Sequence, residues 1–152
     1  PITYLAAGDT LRFHDLDIDV LWPQAGRTRE GTDANLRSMA TLIHLGKLRI
    51  VSMADNDSLY EGYIATPCDV LKVAHHGSRD GTTDAFLNIA NPSLALVTCR
   101  AGAQLPSEET LARLLAHGVT TLRTDVTGEI MIEAVGGGYR TRTYLTEGYH
   151  EP

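Results

Sequence analysis

The stretch CDVLKVAHHGS, residues 68–78, runs from an apolar segment straight into two adjacent histidines and a glycine. A short, mostly apolar run bounded by turn residues reads as a strand buried on both faces. Such strands belong to sheets covered by crossover helices. The run therefore delivers His75 and His76 to the C-terminal end of a strand. Successive strand side chains point to opposite faces, so both imidazoles can face one site only if the backbone turns there. Gly77 makes such a turn accessible, because it lacks the Cβ that forbids most unusual backbone angles.

Upstream, SMATLIHLGKLRIVSMAD (38–55) reads as two apolar strands hinged at Gly46 and Lys47, and it ends at Asp55. Before it, ITYL (2–5), TLRF (10–13) and DIDVLW (17–22) suit short strands joined by turns. NDSLYEGYIAT (56–66) can open a helix with Asn56 or Asp57 as N-cap. Downstream, TTDAFLNIAN (82–91) places Phe86, Leu87 and Ile89 near one helical face, and Pro92 stops it. SLALVTC (93–99) is a second buried strand. In PSEETLARLLAHG (106–118), Ser107 is the N-cap, Glu108 and Glu109 complement the first turn, and Leu111, Leu114 and Leu115 share a side before Gly118. The tail TTLRTDVTGEIMIEAVGGGYRTRTYL (120–145) closes with strands around Gly136 to Gly138. The alternation predicts an α/β chain whose mixed sheet carries helices packed on it, with hairpins at either end. In such sheets ligands gather beyond the carboxyl ends of strands, where Asp55 and the His75–His76 pair are both expected.

At 152 residues the chain is long enough for one domain with a substantial core. No apolar stretch approaches the roughly 20 residues that cross a bilayer. The chain opens on Pro1, and its first residues already read as a strand, so a piece of a longer protein without a signal peptide is expected. Thirteen basic against nineteen acidic residues give a net charge of −6, which argues against a surface built to attract phosphate backbones non-specifically. A bound metal would supply positive charge locally. Cys68 and Cys99 stand apart with no CxxC, which excludes a zinc ribbon and suits two small buried residues.

A carboxylate at one strand end and an imidazole at the next are good ligands for zinc or manganese, and neighbouring strands fix their separation. The same residues have plainer readings. His75 and His76 are also ordinary polar residues at a strand end, and Asp55 lies in ADNDS (54–58), rich in turn and cap formers. His14, His44, His117 and His150 are scattered, with no HxH or DH pair. A hydrolytic zinc site takes about three protein ligands, and this chain offers one Asp and at most two His in plausible register.

From about Leu5 to Ile132 the chain resembles the C-terminal half of the metallo-β-lactamase-like domain of ComEC-type competence proteins, the membrane channels of bacterial DNA uptake. Several landmarks agree in order. AAGDTLRF (6–13) with IDVLWP (18–23) is similar to the family's paired strands. NLRSMATLIHLGKLRIVSMAD (35–55) is similar to its N-x-x-S-L-V-L strand, hairpin and L-T-G-D ending. DVLKVAHHGS (69–78) matches its DVLKVPHHGS closely. PSEETLARLLAHGVTTLRTDVTGEIMI (106–132) is similar to HP-x-x-x-x-L-x-R-L, RTD and G-x-I.

The resemblance implies a partial αββα sandwich with helices on one face of a mixed sheet, a single truncated domain over residues 1–152. It makes Asp55 the counterpart of a metal-bridging aspartate and puts the last histidine ligand at His75 or His76, the other being free to contact a phosphate. His76 is thereby a catalytic candidate beside Asp55, and Ser78 lies beside the site as a substrate-binding candidate or a simple turn residue. Asn35 and Ser38 are strand-end hydrogen bonders that shape the turn, and Arg123 and Asp125 are either structural or face substrate. The complete domain would hold two Zn or Mn ions and hydrolyse DNA. Its partners would be DNA, the N-terminal half of the domain and the membrane channel, with the domain outside the cytoplasm.

Departures from the pattern matter as much. The family's His-x-His-x-Asp-His segment is absent from this chain, so the fragment alone is expected to be inactive and to hold no dinuclear centre. Ala54 stands where the family has the glycine of T-G-D, and Leu105 where many relatives have the His of HP. A catalytically degenerate docking module of the channel, or a soluble metallo-hydrolase of the same superfamily, are the other functions this pattern accommodates. Half a sandwich also leaves one sheet face bare, which would favour a homodimer of the fragment.

Overall fold

A computed structural model describes residues 2–26 and 34–145. Pro1 and His150 lie outside the described residues. Seven strands form one sheet in strict chain order: β1 (Thr10–Phe13), β2 (Leu16–Trp22), β3 (Ala40–Leu45), β4 (Leu48–Ser52), β5 (Val70–Lys72), β6 (Leu94–Val97) and β7 (Thr120–Arg123). The pairs from β1 to β4 are antiparallel and those from β4 to β7 parallel, so the sheet is mixed. Gly46 takes a positive φ of 61° at the β3–β4 loop, which a residue without Cβ adopts freely, and the predicted hairpin forms.

Each parallel connection carries a helix: α1 (Glu61–Ile64), α2 (Asp84–Ala90) and α3 (Glu108–Ala116). Their buried side chains Ile64, Phe86, Leu87, Ala90 and Leu114 join Trp22, Val51, Leu71, Ala95 and Val97 in one core, which places these helices on one face of the sheet as expected. Ser107 caps α3 by accepting from the Thr110 amide, and Thr83 caps α2 by accepting from that of Phe86.

Some expectations need correction. ITYL forms no strand; Ile2 and Tyr4 are exposed, and β1 at Thr10 is the edge of the sheet. The helix expected from Asn56 or Asp57 starts only at Glu61. Asp57 instead accepts from the Leu59 amide in a side-chain turn, which competes with helix formation. Ile89 and Leu115 face solvent, and Ala90 and Thr110 take the buried positions. The closing hairpin, β8 (Ile130–Val135) with β9 (Gly138–Thr143), does not extend the main sheet; a short helix, α4 (Thr124–Thr127), separates it from β7. Ile132 and Tyr139 pack on Leu48, Val70 and Leu94, on the sheet face away from the helices. The face expected to be bare is therefore covered over its parallel strands. Among the described residues no helix is long and apolar enough to cross a membrane.

Candidate functional site

Parallel strands β4, β5 and β6 end at the same rim, and two short turns there carry the residues of interest. After β4, Met53 returns to the core, and Ala54 adopts a φ of 52° that swings Asp55 out. Ser38 accepts from the Asp55 amide at 3.0 Å, the turn-shaping role read for it from the sequence. Buried Asn56, expected to cap a helix, instead donates to the carbonyls of Ser38 at 3.1 Å and Met53 at 2.8 Å and staples this turn.

After β5 the chain enters a left-handed turn. His75 has φ 41° and ψ 52°, His76 φ 55° and ψ 21°, and Gly77 φ 87°. Non-glycine residues rarely adopt this region, and surrounding structure must hold them there. Several contacts do so. The His75 amide donates to the Ala54 carbonyl at 2.9 Å, joining the two turns. A Cβ at Gly77 would lie 2.5 Å from that of Pro106, so only glycine fits, and the Gly77 carbonyl accepts from the Ser107 amide. Farther along, Glu61 is 4% exposed and accepts from the amides of Thr82 and Thr83. Arg113 donates to the carbonyls of Gly81 and Thr82, clamping the same loop from α3.

The turn brings His76 to Asp55, with Nε2 3.9 Å from Oδ1. His76 Nδ1 lies 2.7 Å from the Thr98 carbonyl at the end of β6. A carbonyl can only accept, so Nδ1 carries a proton, and Nε2 is the ring nitrogen turned towards Asp55. Metal-binding histidines are oriented by this kind of backbone bond. The side chains are 48% and 38% exposed, so as an ion pair they contribute little, below about 1 kcal/mol. The His75 ring centroid lies 6.2 Å from that of His76. The Ser78 hydroxyl accepts from the Asp80 amide at 3.3 Å.

A residue the sequence reading passed over is Lys72, the last of β5. Burial lowers its pKa, and the charge of Asp55 works in the opposite direction, so an ammonium sits within electrostatic reach of the carboxylate. The available signal was a lone charge inside DVLKVA.

Arg123 and Asp125 are structural neighbours of the rim. Arg123 donates to both carboxylate oxygens of Asp125, at 3.0 and 2.6 Å, and the Cys99 thiol donates at 3.0 Å. The Arg123 hydrogen bonds, then the Cys99 one, hold the Asp125 carboxyl down at about 2. Burial first, then the Asp125 hydrogen bond, raises the Cys99 thiol. Beyond β6 a cavity of about 730 Å3 opens beside His76, with Leu105 on its wall.

Among the described residues no group of three or more His, Cys, Asp or Glu side chains is placed to hold a metal ion. Asp55 and His76 offer two donors, short of the about three a hydrolytic site takes, so this chain alone does not make a catalytic metal centre.

No protein-family profile matches the chain. It is 28% identical over 130 residues to ComE operon protein 3 of Bacillus subtilis (strain 168), covering 81% of this chain and 16% of that protein. Competence protein ComA of Neisseria gonorrhoeae is 27% identical over 135 residues, covering 84% of this chain and 19% of the relative. Recombination protein 2 of Haemophilus influenzae is 25% identical over 135 residues, covering 86% and 17%. The chain thus spans less than a fifth of the length of these relatives. Across most of its length, the resemblance carried by its strand-end motifs is to competence proteins of the ComEC type.

Proposed function

We propose that this chain is one part of a metal-dependent phosphodiesterase domain in a bacterial DNA-uptake protein, and that it contributes Asp55 and His76 to the metal site. The observation that carries the reading is the left-handed turn at His75, His76 and Gly77. Backbone strain persists where function requires it, and here it aims an oriented imidazole nitrogen at a carboxylate on the neighbouring strand end. The similarity to competence proteins supplies the biological setting.

Two donors call for partners. The remaining ligands for Zn or Mn would come from the N-terminal half of the domain, within the much longer span of the relatives. The domain would sit outside the cytoplasm on a membrane channel and act on DNA, with His75 and Ser78 at the substrate side. A second copy of the chain would be the occupant of any sheet face left open.

The experiment is cleavage of labelled DNA, with Mn²⁺ or Zn²⁺ supplied, by a protein extended to the relatives' span. Cleavage that is lost in Asp55→Ala supports the reading. DNA bound but never cut would favour a docking module, the reading that Leu105 at a usual histidine position also supports.

A further inference from the structure

The cavity beside His76 lies beyond β6 and β7 and measures about 730 Å3, within the roughly 300–1,000 Å3 of small-ligand pockets. Its lining combines apolar Ala103 and Leu105 with Gly102 and with His76, the residue that faces Asp55. At the mouth stand two exposed polar side chains, Arg100 and Gln104. The Arg100 guanidinium enters no ion pair among the described residues, although the chain carries a net charge of −6. An uncommitted cation beside an apolar slot is complementary to a ligand with one flat apolar body and one anionic group.

A second cavity of about 580 Å3 shares Gln104 and Leu105 with the first but is rimmed by Asp80, Glu108 and Glu109. These carboxylates repel a phosphodiester, and Arg79 there is already within 3.9 Å of Asp80. The two cavities therefore differ in what they accept: the first takes an anion at Arg100, and the second turns one away.

We infer that the first cavity seats one unpaired nucleotide of single-stranded DNA, its base between Leu105 and the His76 ring and its phosphate at Arg100. The strand then leaves on the Arg100 side, away from the acidic cavity. Histidine rings and aliphatic walls accept base faces without regard to sequence, and the Gln104 amide offers a donor and an acceptor to a base edge. A base stacked in a duplex has both faces covered and cannot pack on Leu105 and His76, so the seat selects single strands. This inference rests on the phosphodiesterase reading for its biological sense, but its test does not.

The test is an NMR titration of the 152-residue chain with oligothymidylate pentamer in EDTA, so that no metal takes part. Inorganic phosphate and an abasic pentamer serve as comparison probes. The expected result is saturable amide shifts at residues 98–105 and at His76 with oligothymidylate, much weaker with either comparison probe. Arg100→Ala should weaken binding about tenfold, in line with loss of a charged hydrogen bond, and Gln104→Ala several-fold. Both positions are exposed, so the variants keep the fold. Equal shifts with the abasic pentamer or phosphate, no saturable shift, or unchanged affinity in both variants would overturn the inference. Saturable binding here alongside a metal-free extended protein would sink the phosphodiesterase reading and leave the nucleotide seat standing.

Discussion

Ala54 sits in backbone that favours glycine, with a φ of 52°, at the position where the resembling family has one. A left-handed L-residue costs about 1–2 kcal/mol, and glycine's extra freedom in the unfolded chain offsets part of the gain from replacing it. Ala54→Gly should therefore raise stability by about 0.5–1 kcal/mol, read from the urea midpoint at unchanged slope. A loss of stability would show that the Cβ does unrecognised packing. Asp125 gives a pH signature. Its carboxyl is held at about 2 in the folded chain against an ordinary 3.8, so the stabilising contribution is complete above 3.8 and is lost as pH falls through about 2. The stability difference between wild type and Asp125→Asn should shrink across that window, and a constant difference would contradict the Arg123 clamp. At this scale the sequence named Asp55, His75, His76 and Ser38, but not the backbone that orients them. Positive φ is uncommon for any residue but glycine, so the string HHG pointed to Gly77 alone, whereas both histidines join it in the turn.

At the scale of elements, strands were legible where apolar runs met a turn signal at Gly46–Lys47 and before Asp55, but ITYL, also followed by a turn signal, forms no strand. Ser107 located α3, as a hydroxyl residue placed where orphan amides need an acceptor, and Pro92 marked the end of α2; the Thr83 cap of α2 appears only in the structure. Faces were less legible: a helix of seven or nine residues has so few turns that Ile89 and Leu115 fit an apolar stripe equally well on paper. The turn after β5 depends on a contact no local pattern encodes, that of Gly77 with Pro106. Gly77→Ala puts a Cβ 2.5 Å from that of Pro106 at a φ of 87°. We expect destabilisation of about 2–4 kcal/mol by chemical unfolding, since both overpacking and backbone strain act. A change below about 0.5 kcal/mol, the range of ordinary surface substitutions, would show the loop yields freely.

For the whole molecule, a mixed sheet with helices packed on it followed from the alternation of strands and helices, their placement on one face was what the family resemblance implied, and that resemblance followed from several motifs in register. The β8–β9 hairpin covering the opposite face did not, because its alternating strands fit a sheet edge as well as a sheet face. The sequence already limited the donors in register to one Asp and at most two His; among the described residues, Asp55 and His76 are the pair brought together, and no group of three or more forms. That shortfall makes the central claim testable: Asp55 and His76 form one side of a metal site completed elsewhere in a longer protein. The most direct measurement is metal content after gel filtration of a protein extended to the relatives' span, in wild type, Asp55→Ala and His76→Ala. The account predicts about two Zn²⁺ or Mn²⁺ ions per chain in wild type and loss of bound metal in both variants. A wild-type protein that carries no metal, or variants that keep all of it, would contradict it.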